Sequence, residues 1–189
     1  MIRIGILGDI GSGKSYVANS FGYPVFDADH EVSKLYKKNK KIFRKLSNKL
    51  PKYISKFPID KKEITEAILT NKNNLKKIIN VVHEEIRIKL KLFLKKNKNK
   101  KIVILDIPLL MENKINNKND ILIYVDSKKK DIEKRLIKRQ NFNRDLFKKF
   151  KKIQLNSIYK KRNSNFIIKN DFKKKSIEKN IRKILKQIL

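Results

Sequence analysis

The octapeptide Gly-Asp-Ile-Gly-Ser-Gly-Lys-Ser at residues 8–15 has residue types and a spacing suited to binding the phosphates of a nucleotide. It matches the pattern Gly-x-x-x-x-Gly-Lys-Ser and lies between an alternating apolar run and a helical pattern. Glycines let successive backbone N–H groups point at one anion, and the following helix presents its positive end to the same anion. Lys14 can reach the β- and γ-phosphates, and the Ser15 hydroxyl is placed to ligate Mg²⁺. This P-loop therefore predicts a nucleotide-phosphate site with Mg²⁺ as cofactor.

Two carboxylates follow in the segment Phe-Asp-Ala-Asp-His. We expect Asp27 and Asp29 at the end of a strand beside the P-loop strand, with strand alternation turning both carboxylates to one side. One carboxylate could then accept the proton of an attacking hydroxyl, while the other orients substrate or water around Mg²⁺. Alternatively, both residues begin the helix that follows, because Asp is a favourable N-cap.

A third group of candidates is the segment Asp-Ile-Pro-Leu-Leu-Met-Glu-Asn, which follows another apolar run. Asp106 could hold Mg²⁺ through water, or it could be a strand-end residue bonded to backbone amides. We expect Pro108 to turn the chain, Leu109 and Leu110 to pack beneath it, and Glu112 to face a substrate cleft.

The elements that must position these residues are read from hydrophobic periodicity. Short apolar runs predict strands at 2–7, 102–107, 121–125 and 166–168, with a short fifth strand in Pro-Val-Phe-Asp-Ala-Asp. Helical periodicity runs in one segment from Val32 to Leu50, in a second from Leu75 to Leu90, and in a third from Ile177 to Ile188. Strands that alternate with helices favour an α/β fold, with a parallel five-stranded sheet and ligands at the carboxyl ends of its strands.

Composition limits the classes of function. The chain has 189 residues, no cysteine and a formal net charge of +32. The absence of cysteine excludes disulfides and thiolate chemistry, and no apolar run approaches the roughly 18 residues that span a bilayer. Because the lysines are spread along almost the whole length, we interpret them as a solvated surface and expect neither a nucleic-acid nor a membrane partner. We expect one compact cytoplasmic domain over residues 1–189, a monomer or weak homo-oligomer.

Together the motifs resemble the dephospho-coenzyme A kinase family over nearly the whole chain. The segments that carry this resemblance are GILGDIGSGKS, VFDAD, IPLLMEN, the Arg135, Arg139 and Gln154 set, and SNFIIKN at 164–170. The resemblance implies a three-layer, adenylate-kinase-like P-loop fold. Its implied parts are a core at 1–30, 101–126 and 163–189, a helical coenzyme-A-binding subdomain at 31–100, and a lid at 127–162. It also implies transfer of the ATP γ-phosphoryl group to the ribose 3′-hydroxyl of dephospho-coenzyme A, the last step of coenzyme A biosynthesis (EC 2.7.1.24).

The same resemblance implies roles for individual residues. Asp29 would be the catalytic base with Asp27 in support, Lys14 and Arg139 would act on the transferred group, and Arg135 would support a helix. The ATP-binding set is Asp9, Ile10, Gly11, Ser12, Gly13, Lys14, Ser15, Tyr16, Arg139, Arg144 and Asn170. The substrate-binding set is Asp27, Asp29, His83, Pro108, Leu109 and Glu112, with Ser15 as the metal ligand.

Three positions depart from the family pattern. Asp9 stands where the family usually has Gly, so its carboxylate must point outward or the affinity for phosphate suffers. Tyr16 replaces the usual Thr, and His83 lacks the Pro that commonly follows it, so His83 could also be an ordinary helix-boundary residue.

Other classes of function make different demands on the sequence. A P-loop kinase for a nucleoside monophosphate or shikimate would need arginine pairs in the acceptor subdomain, where only Arg44 and Arg87 are available. A nucleic-acid-binding module would need a localised basic stripe with interleaved aromatic residues. A degenerate kinase fold kept for interaction would have lost groups that the chemistry needs, and here they are all present.

Overall fold

The computed structural model describes residues 1–140 and 142–189; Asn141, which belongs to the expected lid, lies outside the described residues. One sheet contains five parallel strands, which are β1 (Ile2–Gly8), β2 (Val25–Asp27), β3 (Ile102–Asp106), β4 (Ile121–Asp126) and β5 (Phe166–Lys169). The helices are α1 (Lys14–Ser20), α2 (Ala28–Lys38), α3 (Lys40–Lys49), α4 (Lys61–Thr70), α5 (Lys72–Lys96), α6 (Lys129–Ile137), α7 (Arg144–Ile153), α8 (Ser157–Arg162) and α9 (Lys174–Ile188). The predicted α/β class and parallel five-stranded sheet are confirmed.

The order of the strands differs from the expectation in one respect. The sheet runs β2-β3-β1-β4-β5, so β3 lies between β1 and β2, and the Asp-Ala-Asp strand is not beside the P-loop strand. Every residue of β3 is buried, as suits a central strand of a parallel sheet, whereas β2 has three residues and suits an edge.

The expected alternation of Asp27 and Asp29 along a strand is also wrong. The strand β2 ends at Asp27 and α2 begins at the next residue, so Asp29 lies in the first helical turn. An acidic residue is favourable there because the amino end of a helix carries partial positive charge. The two carboxylates are therefore positioned by different elements.

The chain forms two compact units, of which the first comprises Met1–Asp27 and Asn97–Leu189. One face of its sheet is apolar and is buried beneath α1 and α9. The buried side chains on this face include Ile4, Ile6, Ile123, Val125, Val17, Ala18, Ile177 and Ile181. On the opposite face Tyr124 of β4 bonds to Ser157 at the start of α8. The carboxyl edge of the sheet is thus supported from both faces.

The second unit, Ala28–Lys96, is helical. The periodicity from Val32 to Leu50 predicted one helical segment, but the structure contains two helices that meet at Asn39. The Asn39 side chain accepts a hydrogen bond from Ile42 N at 3.0 Å, so a favourable N-cap starts α3 where one continuous helix was expected. The helix α4, capped by Asp60, was not predicted at all. In the part of the chain that the structure describes, no helix is long and apolar enough to cross a membrane.

Candidate functional site

The P-loop connects β1 to α1 in a tightly supported conformation. Gly13 is the N-cap of α1 with φ of 90°, a left-handed conformation that favours glycine. A Cβ at this position would lie 2.5 Å from Asn170 Nδ2. The neighbouring Ser12 carbonyl accepts hydrogen bonds from Asn170 Nδ2 at 2.8 Å and from Ser127 Oγ at 2.9 Å. The loop is therefore held by the residues that follow β4 and β5.

Lys14 is directed back over the loop from the first turn of α1. Its Nζ donates to the carbonyl oxygens of Gly8 at 3.2 Å and Asp9 at 3.0 Å. The ammonium group is thus placed beside the loop backbone, where a bound phosphate chain would lie in a motif of this kind.

Asp106 and Ser15 bring a carboxylate and a hydroxyl together next to the P-loop. Asp106 ends β3, is 5% exposed, and accepts a hydrogen bond from the Ser15 side chain. Burial raises the pKa of Asp106, the Ser15 hydrogen bond and the Lys14 charge oppose the rise, and the Asp27 carboxylate adds to it. Asp27 is the register partner of Asp106 on the neighbouring strand.

These oxygen donors fit Mg²⁺, which proteins commonly hold with one or two carboxylates plus phosphate oxygens and water. Among the described residues, no three His, Asp or Glu side chains form a complete metal cage. The side-chain bond to Ser15 places Asp106 beside the residue predicted to ligate the metal, and the role of Asp106 near Mg²⁺ stays a prediction.

Asp9 carries a carboxylate on the P-loop itself. Its Oδ1 lies 3.3 Å from Lys160 Nζ, and it also accepts a hydrogen bond from the Tyr124 hydroxyl. Sequence reasoning did not identify Lys160, because it is one of 50 Lys and Arg residues and composition alone does not distinguish it. The sequence predicts Tyr124 only as part of the buried strand at 121–125.

Glu112 is bonded to the lid segment at a residue between α7 and α8. Its Oε1 accepts a hydrogen bond from Leu155 N at 2.9 Å and lies 4.0 Å from Lys160 Nζ. Together with Lys14 and Gln154 it lines a small cavity beside the P-loop. Contact between Glu112 and the substrate stays a prediction.

The turn after β3 differs in part from the expected packing. Leu110 is buried as expected, but Leu109 is only half-buried and has φ of 57°. The expected packing is therefore complete only for Leu110, and Leu109 keeps part of its side chain accessible. Pro108 itself is exposed.

The two candidate arginines of the lid segment, Arg139 and Arg144, lie next to the ends of helices. Arg139 is exposed just after α6, and Arg144 is the first residue of α7. Arg144 lines a cavity of about 670 Å³ whose wall also includes Asp9 and Ile10 of the P-loop and apolar side chains such as Phe147. Arg144 and the phosphate loop therefore border the same space, whereas Arg139 does not line this cavity.

Asn170 supports the loop from the end of β5. It is buried, and its two side-chain polar atoms bond to Ser12 O and Phe172 N. The Arg135 guanidinium lies 4.3 Å above the Phe172 ring, so Arg135 connects α6 to the residues that follow β5. Phe172 was not identified from the sequence.

The remaining candidates are placed as follows. Tyr16 is 47% exposed on α1. Asp29 is exposed on α2, and His83 is half-buried on α5. Burial, followed by the Arg87 charge, lowers the pKa of His83.

Comparison with known proteins gives a consistent result. A family model described as dephospho-CoA kinase matches residues 2–176. A dephospho-CoA kinase of Wolbachia sp. subsp. Brugia malayi (strain TRS) is 31% identical over 187 residues, which cover 96% of this chain and 95% of that protein. The solved dephospho-CoA kinase from Campylobacter jejuni has a TM-score of 0.61 and 26% identity, covering 98% of this chain and 96% of that one. A Thermus thermophilus crystal structure has a TM-score of 0.79 at 24% identity, covering 100% and 97% of the two chains, and shows the same fold.

Proposed function

Because the chain belongs to the dephospho-CoA kinase family, we propose how its residues divide the work of transferring a phosphoryl group from ATP to dephospho-CoA. In this reaction the ribose 3′-hydroxyl oxygen attacks the γ-phosphorus of ATP. The bond from that phosphorus to the β,γ-bridging oxygen breaks, and ADP leaves. The hydroxyl proton must pass to a base. The observation that carries the proposal is the Lys14, Ser15 and Asp106 group, in which a phosphate loop adjoins two hydrogen-bonded oxygen groups of the kind that Mg²⁺ prefers.

The donor side is assigned to the P-loop. Its backbone N–H groups and Lys14 bind the β- and γ-phosphates, and the ammonium group offsets the charge that develops as ADP leaves. The bonds from Ser127 and Asn170 to Ser12 support this role, because a pre-formed loop does not have to be ordered during the reaction.

Ser15 and Asp106 are the residues that would hold Mg²⁺. Held by these two residues, Mg²⁺ would neutralise phosphate charge and help to orient the γ-phosphoryl group. The burial that raises the pKa of Asp106 also makes a neighbouring cation favourable, because an unpaired buried carboxylate is costly.

Asp29 is assigned as the general base for the 3′-hydroxyl, with Asp27 as the residue that orients substrate. Asp29 is exposed in the first turn of α2, so it can exchange the accepted proton with water. General-base help of this kind contributes about two to four powers of ten in rate.

The lid arginines are assigned to the transition state. Arg139 and Arg144 supply planar guanidinium groups that can hold two phosphoryl oxygens each, which a lysine cannot do. Asn170 is assigned to the adenine side of the ATP site, next to Phe172 and Arg135.

A coupled ADP-release assay with a panel of acceptors tests the activity. We expect turnover with dephospho-CoA and none with AMP, CMP or shikimate. The Lys14→Met variant, assayed in parallel, measures contaminating kinase activity. Turnover with one of the other acceptors and none with dephospho-CoA would contradict the proposed acceptor.

The Asp29→Asn variant tests the base. We expect kcat to fall by about two to four powers of ten while ATP affinity stays within about twofold, because only proton acceptance is lost. The matched control is Asp60→Asn, which changes another Asp at a helix start in the same unit and should leave kcat within about twofold. An Asp29→Asn enzyme with wild-type kcat would remove Asp29 from this role.

A further inference from the structure

Lys160 of α8 is a buried lysine beside the phosphate loop. Its side chain is 2% exposed, and its Nζ lies 3.3 Å from Asp9 Oδ1 and 4.0 Å from Glu112 Oε1. Burying an ammonium group is costly unless opposite charge compensates it. In this unit the compensation comes from one carboxylate on the P-loop and one on the turn after β3.

The Asp9 carboxylate has a second buried partner in Tyr124. This tyrosine is 2% exposed on β4, and its hydroxyl donates to Asp9. A tyrosine hydroxyl is protonated at neutral pH and can donate, and burial together with the nearby charges of Asp9 and Asp126 raises the pKa of Tyr124 further. Two groups from different elements therefore hold one side chain of the loop.

A carboxylate on a phosphate loop has an electrostatic cost. Lys14 bonds to the Asp9 carbonyl oxygen, so the Asp9 backbone is part of the loop that faces the phosphates. An uncompensated negative charge on this loop would repel the polyphosphate of ATP. The Asp9 side chain is 44% exposed, so more than half of it is shielded from water and solvent screens its charge only in part.

We propose that Lys160, assisted by Tyr124, is a positioning residue that neutralises the Asp9 carboxylate and holds it away from the phosphates, so that the P-loop binds ATP despite its acidic residue. This inference rests on the proposed ATP-binding role of the P-loop. Lys160 acts through Asp9 and does not itself contact the nucleotide. The harm of removing Lys160 must then depend on whether residue 9 carries a charge.

A double-mutant cycle on ATP affinity, measured by isothermal titration, tests this dependence. We expect Lys160→Met to raise the ATP Kd by about tenfold or more when residue 9 is Asp. In the Asp9→Asn background, the same Lys160→Met change should raise Kd by less than about threefold, because no charge is left to neutralise. The kcat at saturating ATP should change less than Kd, because ground state and transition state are affected alike.

The matched control is Lys45→Met, which removes one lysine charge from the helical unit Ala28–Lys96. Lys45 pairs with Glu84 at 2.7 Å, so its loss should change the ATP Kd by less than about twofold. An equal loss of affinity from Lys160→Met in the wild-type and Asp9→Asn backgrounds would overturn the inference, because it would mean that Lys160 touches ATP or only stabilises the fold.

If Lys160→Met does not fold, Tyr124→Phe provides the same test. It removes one hydrogen-bond donor to Asp9 and leaves the buried Lys160 charge in place. Loss of this one hydroxyl should raise the ATP Kd by about three- to fivefold in the wild-type background and leave it unchanged in the Asp9→Asn background. Equal effects in the two backgrounds would again overturn the inference. A wild-type protein that shows no saturable ATP binding would overturn the proposed function and this inference together, whereas normal wild-type binding without coupling overturns the inference alone.

Discussion

The P-loop and the lid helix α7 both border the cavity of about 670 Å³, but they differ in how firmly the rest of the unit holds them. The P-loop is held by side chains from outside it, through the bonds of Ser127 and Asn170 to Ser12 and of Lys160 to Asp9. Among the described residues, α7 buries none of its side chains. Its helix-internal ion pair, Lys148 with Asp145, is exposed and 3.5 Å long.

This difference corresponds to two demands of phosphoryl transfer. Groups that bind the donor phosphates in every state are most effective when they are already in place, so a rigid loop suits them. Groups that stabilise only the transition state raise the rate without over-binding ATP. A segment with little burial can rearrange without exposing a core, so α7 suits residues of the second kind.

The largest effect that would sharpen this comparison is expected from Arg139→Met. We expect kcat to fall about a hundredfold while the ATP Kd changes less than about threefold, because a donor to the developing charge is lost. Steady-state kinetics and ATP titration measure the two quantities. Lys138→Met, which removes the neighbouring positive charge, is the control and should stay within about twofold. If Arg139→Met weakened ATP binding and left kcat intact, the lid would serve ground-state binding and the contrast with the P-loop would fail.

Gly13→Ala tests the rigid side of the comparison. We expect it to destabilise the protein by about 2 kcal/mol more than Gly22→Ala, measured by denaturant unfolding. Both glycines have positive φ, but the added Cβ would lie 2.5 Å from Asn170 Nδ2 at Gly13 and would have open space at Gly22. Gly22→Ala therefore reports the backbone cost alone, about 1 kcal/mol. Equal losses for the two variants would show that the contact with Asn170 does not constrain the loop.

The strands could be predicted because each is a short apolar run, and burial of such runs is a local property of the sequence. The position of β3 between β1 and β2 could not be predicted with the same success, because strand order depends on contacts between residues far apart in the chain. The length of each run was the available signal, since the three-residue β2 is short enough for an edge.

At the site, the P-loop was predictable because its chemistry needs a fixed spacing of glycine, lysine and serine. Lys160 was not, because its role depends on a separation of 151 residues from Asp9 and on burial, neither of which the lysine-rich sequence reveals. The unusual Asp9 was the one available signal. A carboxylate on a phosphate loop requires a compensating cation, and that requirement can be stated before its partner is known.

The smallest expected effect concerns the N-cap residues of α3 and α7, two helices that differ in the number of side chains they bury. Asn143 Oδ1 accepts hydrogen bonds from Asp145 N and Leu146 N at the start of α7, and Asn39 Oδ1 caps α3 in the same manner. Loss of such a cap costs about 1 kcal/mol. Because α3 buries Ile42 and Leu46, we expect Asn39→Ala to lower the global free energy of unfolding by about that amount.

In α7, which has no buried side chain to couple it to the core, the same loss should stay local. We expect Asn143→Ala to speed hydrogen exchange of the α7 amides about fivefold and to leave Tm unchanged within about 1 °C. Hydrogen exchange read by mass spectrometry, together with a thermal melt, separates the local from the global effect. A fall in Tm for Asn143→Ala as large as that for Asn39→Ala would mean that α7 unfolds together with the sheet. The lid would then share the rigidity of the P-loop, and the assignment of its arginines to the transition state would lose its structural basis.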